Sequence, residues 1–164
     1  MDDVKRRSLL GAAAAVVVGI LVSAAGSDGS SQVGSIAVFG LCGLLAFGVN
    51  WIAFIPANAA RTEKYYDLTG SITYLTVTLV AVALSDNLDA RAVIAAAMVI
   101  VWTVRLGTFL FRRIRRDGRD GRFDEIKTSP LRFFSAWTIQ GLWVLLTAAA
   151  ALAIITTTER RDLG

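Results

Sequence analysis

Five long blocks of apolar residues, nearly free of charge, dominate this sequence and constrain its fold. They cover about residues 8–25, 33–56, 68–85, 92–111 and 134–157. Each is about as long as a helix that crosses a hydrocarbon layer of roughly 30 Å. Because a lipid interior offers the backbone no hydrogen-bond partners, each block is forced to be helical. The sequence therefore predicts an all-α fold: one polytopic transmembrane bundle of about five spans, covering residues 1–164.

The positively charged residues predict how the bundle is oriented. Most of the 17 lysines and arginines lie in three segments: the N-terminal tail, the segment after the second block, and residues 112–133. The opposite side carries Arg91, Arg160 and Arg161. Since cytoplasmic loops are enriched in Lys and Arg, we expect a cytoplasmic N-terminus, a cytoplasmic loop 112–133, and a multi-pass protein of the plasma membrane. The first block also has features of a signal peptide, but the spans that follow favour an uncleaved membrane helix.

Composition removes several classes of function. The excess of cations over the 13 acidic residues lies beside apolar spans, so it predicts membrane topology rather than nucleic-acid binding. The absence of histidine removes the commonest general base and metal ligand, and we predict no metal site. The single cysteine, Cys42, excludes a disulfide within the chain and is predicted to be a small packing residue.

Arg105 lies inside the fourth apolar block, where a charge is costly. Arg112 follows seven residues later and Arg116 four after that, so all three share one face of a helix. Such a ladder suits phosphate groups, because guanidinium forks bind oxyanions through two hydrogen bonds. The alternative is that Arg105 stretches towards the lipid headgroups and that the ladder only anchors the helix.

The segment "RRDGRDGRFDEIK" combines both signs of charge with glycines. Gly118 and Gly121 are expected to end the helix. An anchor needs only cations, so the acidic residues predict ion pairs that order the loop; these residues are Asp117, Asp120, Asp124 and Glu125. A loosely solvated loop of mixed charge is the alternative.

Polar residues near the third and fifth spans have both a structural and a functional interpretation. Asp67, at the mouth of the third span, could pair with an arginine or accept a hydrogen bond from a substrate. Asn50 and Gln140 are predicted to lie in the bundle and to bond between helices. The tryptophans are expected mostly at the membrane interfaces; they are Trp51, Trp102, Trp137 and Trp143. Two series of small residues predict close helix packing; they are Gly11, Ala15 and Gly19, and Gly40, Gly43, Ala46 and Gly48.

Several motifs together resemble a known family. They are "TEKYYDLTGSITYLTVTLVA", "VWTVRLGTFLFRRIRRDGRDGRFDEIK" and "FFSAWTIQGLWV". They resemble bacterial and archaeal uncharacterised membrane proteins of the steroid 5-alpha-reductase-like superfamily, which is more distantly related to isoprenylcysteine carboxyl methyltransferases. The resemblance covers about residues 50–146.

The resemblance implies an NADPH-dependent reductase that acts on a lipid or steroid-like enone within the membrane. It places Arg105 and Arg112 near the cofactor's phosphates, and Asp120 and Arg122 in a loop that closes over the cofactor. Tyr66 and Asp67 match a polar pair beside the cavity and are the candidate catalytic residues. Family members continue into a histidine-containing C-terminal block, so this chain resembles their N-terminal part.

Two classes of function follow. In the first, the chain is the N-terminal portion of a membrane reductase, inactive alone, whose partner is a complementing C-terminal segment or a second copy. In the second, it is a small non-enzymatic membrane protein, accessory or oligomerising, whose cations set only its topology. A transporter is less well supported, because paired broken helices are not evident.

Overall fold

The helices of this protein follow directly from the apolar blocks. The computed structural model describes residues 3–86 and 88–159, and Arg160 and Arg161 lie outside the described residues. Of the residues that the structure describes, 81% are helical, which confirms the predicted all-α class. The long helices are α1 (Asp3–Ser27), α2 (Val38–Ala59), α3 (Tyr66–Leu84), α4 (Ala90–Asp117) and α5 (Pro130–Thr156). All five are long and apolar enough to cross a membrane, which indicates a multi-pass membrane protein.

The second helix begins later than the sequence predicts. Its apolar block starts near residue 33, but β1 (Gln32–Val33) and β2 (Ile36–Ala37) form a short antiparallel hairpin before α2. Gly34 permits this turn because its φ is +62°. Val33 and Ile36 are therefore exposed hairpin residues rather than part of a span.

The fourth and fifth helices are longer than their apolar blocks. The charged loop between them therefore covers residues 118–129 rather than 112–133. Helix α4 passes Phe111 and ends at Asp117, where Gly118 adopts a left-handed conformation with φ of +76°. This confirms the predicted helix stop at Gly118. Helix α5 begins at Pro130, because proline fits the first helical position. Two short 3-10 turns, Gly121–Phe123 and Ile126–Thr128, lie between them.

Helix α5 is the central element of the bundle, since it contacts each of the other four long helices. Its buried side chains include Leu145, Leu152 and Ile155. Small residues allow the backbones to approach, as predicted: Ala15 and Gly19 of α1 are buried, as are Gly43 and Ala46 of α2.

Buried polar groups connect neighbouring helices. Asn50 Nδ2 donates to Thr73 Oγ1 at 3.3 Å, joining α2 to α3. Trp51 Nε1 donates to Thr138 Oγ1 at 3.1 Å, joining α2 to α5. The predicted interhelical hydrogen bond of Asn50 is therefore confirmed, and such bonds typically contribute about 0.6–2 kcal/mol in a membrane.

The close approach of α5 to α2 at Gly141 gives a test of the packing. A Cβ atom at Gly141 would lie 2.9 Å from the carbonyl oxygen of Ala46, and backbone can yield little. We expect Gly141→Ala to destabilise the bundle by about 1–3 kcal/mol, measured as the free energy of unfolding in detergent. Gly48→Ala is the matched control, because no atom lies within 4 Å of its added Cβ. Equal stability of the two variants would contradict this packing.

Candidate functional site

An ion network joins the start of α3, the end of α4 and the charged loop. Arg113 Nη2 lies 2.7 Å from Asp67 Oδ2 and 3.5 Å from Asp120 Oδ2. Arg122 pairs with Asp120, and its Nη2 lies 3.8 Å from Asp67 Oδ2. The predicted pairing of Asp67 with an arginine is confirmed, and its nearest partner is Arg113.

The other acidic residues of the segment also find cations. Asp117 pairs with Arg116, and Asp124 with Arg119 and Lys127. These pairs, together with the Asp120 contacts, confirm that the loop is internally paired rather than loosely solvated. The hydrogen bond from the Arg122 side chain lowers the pKa of the Asp120 carboxyl below its ordinary value.

Glu63 is a second attachment point for the loop. Its side chain is buried, with Oε2 2.8 Å from Lys127 Nζ. Its Oε1 accepts the backbone N–H of Asp120 at 3.1 Å. Burial acts to raise the pKa of Glu63, but the hydrogen bonds from Lys127 and Asp120 outweigh it and hold this pKa below its ordinary value. Sequence reasoning missed Glu63, because nothing in the local sequence indicates that an acidic residue next to Lys64 is buried.

Tyr66 holds α3 against both α5 and the loop. Its hydroxyl donates to the Ala136 carbonyl at 3.0 Å. Its ring contacts Phe123 of the loop and Trp137 of α5, with centroid distances of 4.7 and 5.1 Å. The Tyr66 hydroxyl therefore has a structural partner. Trp137 is fully buried, which corrects its expected place at a membrane interface.

Gln140 completes the contact between α3 and α5. Its Nε2 donates to the Tyr66 carbonyl at 2.9 Å, which confirms the predicted interhelical bond. The amide lies against Gly70, where a side chain would collide with it. The Oε1 atom of Gln140 is buried and accepts no hydrogen bond from the residues that the structure describes.

A cleft of about 310 Å³ opens between α3, α4 and α5. Its polar end is formed by Asp67, Ser71 and Gln140. Its other end is aromatic and apolar, and it is lined by Tyr74, Trp102, Leu106, Ile139 and Trp143. Trp102 and Trp143 are exposed at 46% and 64% on the outer surface of the bundle, so the cleft opens sideways.

Arg105 and Arg112 lie away from this assembly. Both side chains are exposed and line a shallow recess of about 560 Å³ on α4, together with Val101, Val104 and Phe109. The inward face of α4 is marked by the buried Thr103. Arg105, two residues on, is about 200° around the helix and points outward.

The structure thus groups some of the predicted site residues and separates others. Tyr66, Asp67, Asp120 and Arg122 lie in one contiguous cluster. The ladder of Arg105 and Arg112 lies on the outer face of α4. The sequence spacing of Arg105 and Arg112 showed that they share one face of α4, but it did not show which face of α4 is buried.

The family model for "Protein of unknown function (DUF1295)" matches residues 53–163, from the second half of α2 through α5. The chain belongs to the DUF1295 family. This family is associated with steroid 5-alpha-reductase-like proteins. The DUF1295 match includes Asp67, the charged loop, the cleft and Gln140. No curated protein and no solved structure matches the chain.

The buried carboxylate predicts how the loop responds to mutation. Glu63→Gln removes the charge that Lys127 neutralises, and we expect the free energy of loop opening to fall by about 1–3 kcal/mol. Hydrogen exchange at residues 118–129 should accelerate accordingly. Glu125→Gln is the control, since that side chain is 89% exposed. Unchanged exchange in Glu63→Gln would contradict the role of this contact.

The same contacts predict the pH dependence of loop protection. The pKa values of Glu63 and Asp120 are both lowered from their ordinary values of 4.5 and 3.8. Their contribution is therefore complete above pH 4.5 and is lost as the pH falls through the lowered values. Exchange rates corrected for intrinsic chemistry should be constant from pH 7 to 5 and rise only in stronger acid. A rise between pH 7 and 5 would contradict the assignment.

Proposed function

We propose that this chain is the membrane-embedded part of a reductase-like protein and that it binds a lipid or steroid-like molecule in the cleft between α3, α4 and α5. The cleft itself carries the proposal. It combines an apolar wall with a small group of polar atoms at one end, which is the usual arrangement of a small-molecule site. The association of DUF1295 with steroid 5-alpha-reductase-like proteins supports a substrate of this class.

The sideways opening favours a ligand that enters from the bilayer. Trp102 and Trp143 border this opening on the surface of two helices long and apolar enough to span a membrane. Inside, Leu106 and Ile139 offer apolar contact for the body of the ligand. The polar end lies at the side of the bundle that carries the ion network, through Asp67.

We also propose an orientation for the bundle in the membrane. The cation-rich segments support a cytoplasmic N-terminus and a plasma-membrane location. In this orientation, the charged loop and the polar end of the cleft lie near the cytoplasmic surface. A polar cofactor or co-substrate would then approach the site from the loop side.

The residues predicted to hold NADPH do not enclose a dinucleotide by themselves. Arg105 and Arg112 are on an exposed face of one helix. Asp120 and Arg122 pair with each other. Asp120 also contacts Arg113, and Arg122 also contacts Asp67. A nucleotide bound by these arginines needs a second wall, which a complementing segment or a second copy of the chain would have to supply.

The exposed arginines also favour a second candidate function. Two guanidiniums flanked by Val104 and Phe109 on the outer face of α4 suit contact with lipid headgroups or with another membrane protein. This is the non-enzymatic alternative, in which the chain is an accessory or oligomerising bundle. It predicts no specific ligand in the cleft.

Photolabelling distinguishes these two functions. In phospholipid nanodiscs, we expect a diazirine-bearing sterol to label residues around 102–106 and 139–144. Leu106→Trp places a larger side chain in the cleft and should reduce this labelling several-fold, because overfilled sites exclude their ligands.

Leu44→Trp is the matched control for photolabelling. It makes the same substitution in an apolar groove between α1 and α2. It should leave labelling of the cleft unchanged. Equal labelling of the cleft and of the groove between α1 and α2 would refute specific binding in the cleft. Labelling of the cleft that Leu106→Trp does not reduce would also refute it.

A further inference from the structure

The cations around the charged loop form two groups. The first group is paired with acidic residues, and its members are Arg113, Arg116, Arg119, Arg122, Lys127 and Arg132. The second group includes Lys64 and Arg115, which make no ion pair with the residues that the structure describes. Both side chains are exposed. Their positive charges are therefore available to a ligand.

Lys64 and Arg115 line one pocket, of about 430 Å³, between the segment that precedes α3 and the end of α4. Its other lining residues are Tyr65, Phe111, Ile114 and Gly118. The guanidinium carbon of Arg115 lies 5.6 Å from the centre of the Phe111 ring. This cation–π contact holds the guanidinium on the pocket wall and leaves its charge uncompensated.

The charge of this pocket is positive. None of the residues that line it is acidic. The acids nearest to Lys64 and Arg115 in sequence are Glu63 and Asp117, and each of these is paired with another cation. Gly118 adds no side chain, and a Cβ atom there would meet nothing within 4 Å. Two cations beside open space match a phosphate group, whose oxygens accept hydrogen bonds from both.

The pocket is separate from the cleft, because it lies on the other flank of the contact between α3 and α4. The two helices meet at Gly107, where an added Cβ would lie 2.9 Å from the Cβ of Ser71. At about 100° per residue, Leu110 of the cleft falls on one side of Gly107 and Phe111 of the pocket falls on the other. A ligand of this pocket is therefore not the ligand proposed for the cleft.

Apolar surface continues from the pocket towards the middle of both helices. Val104 is exposed and lies seven residues before Phe111, on the same face of α4. On α3, Tyr74 lines the cleft, and the exposed Ile72 is about 200° away, on the flank that carries the pocket. Tyr65, also exposed, has the amphipathic ring that is common at headgroup level. A ligand with acyl chains uses this surface, whereas a free phosphate leaves it uncovered.

We propose that this pocket binds the phosphate of one anionic phospholipid. Lys64 and Arg115 contact the phosphate oxygens, and the acyl chains lie along Val104 and Ile72. The bound lipid joins the start of α3 to the end of α4. The site does not depend on the function proposed for the cleft.

Native mass spectrometry of the full chain in a neutral detergent tests the proposal. Dioleoylphosphatidylglycerol and dioleoylphosphatidylcholine have the same acyl chains, but only the first carries a net negative charge. We expect the first phosphatidylglycerol molecule to bind about tenfold more tightly than the first phosphatidylcholine, because its phosphate is not neutralised by its own headgroup. Equal affinities for the two lipids would overturn the proposal.

Two double variants, each lacking two exposed cations, assign the preference to the pocket. Lys64→Gln/Arg115→Gln should bring the affinity ratio of the two lipids close to one. Arg116→Gln/Arg119→Gln is the matched control, since these cations are paired with acids and do not line the pocket. It should keep the ratio of the natural protein. Equal losses in the two double variants would indicate general attraction to a basic surface and would overturn the site.

A competitor without acyl chains distinguishes a lipid from a soluble phosphate. Glycerophosphoglycerol is the headgroup of phosphatidylglycerol alone. In tenfold excess over the lipid, it should leave the bound phosphatidylglycerol in place, because it makes no contact with the apolar flank. Displacement under this condition would show that the pocket takes a soluble phosphate diester, and it would overturn the assignment to a phospholipid.

Discussion

The paired hydrogen bonds between α3 and α5 are the contact on which the rest of the site depends. The Tyr66 hydroxyl donates to Ala136 of α5, and Gln140 of α5 donates back to the Tyr66 carbonyl. In lipid, where hydrophobic burial does little to join helices, such bonds and close small-residue packing provide the specificity. One side of this contact supports Phe123 and the charged loop, and the other directs Gln140 towards the cleft.

The ion network extends this contact to the surface. Asp67, one residue after Tyr66, carries the negative charge that Arg113 and Arg122 share. Glu63 fastens the far side of the loop through Lys127. The acidic residues thus explain why the segment is not simply a row of cations. Their ion pairs order the charged loop next to the polar end of the cleft. Arg105 and Arg112 lie outside this loop, on α4.

The sequence allowed the helices to be predicted because the bilayer leaves the backbone so few choices. The helix stop at Gly118, the loop pairing and the bonds of Asn50 and Gln140 followed from the chemistry of single residues. The face of α4 that turns inward did not, because in a membrane both the lipid-facing and the bundle-facing residues of a helix can be apolar. The buried position of Trp137 and the carboxylate of Glu63 depend on contacts between segments distant in sequence. No local pattern encodes such contacts.

The open cleft supports the proposal that this member of the DUF1295 family binds a lipid. Arg105 and Arg112, which are expected beside the phosphates of NADPH, lie on an outward face of α4. The cleft is the feature that distinguishes a ligand-binding protein from a simple bundle.

The most direct measurement is a double-mutant cycle between Tyr66→Phe and Gln140→Leu, followed as the free energy of unfolding in detergent. Each variant removes one of the two hydrogen bonds between α3 and α5. Because both bonds are made by Tyr66, we expect the double variant to lose less stability than the sum of the two single losses. Strictly additive losses, or single variants as stable as the natural protein, would contradict the account.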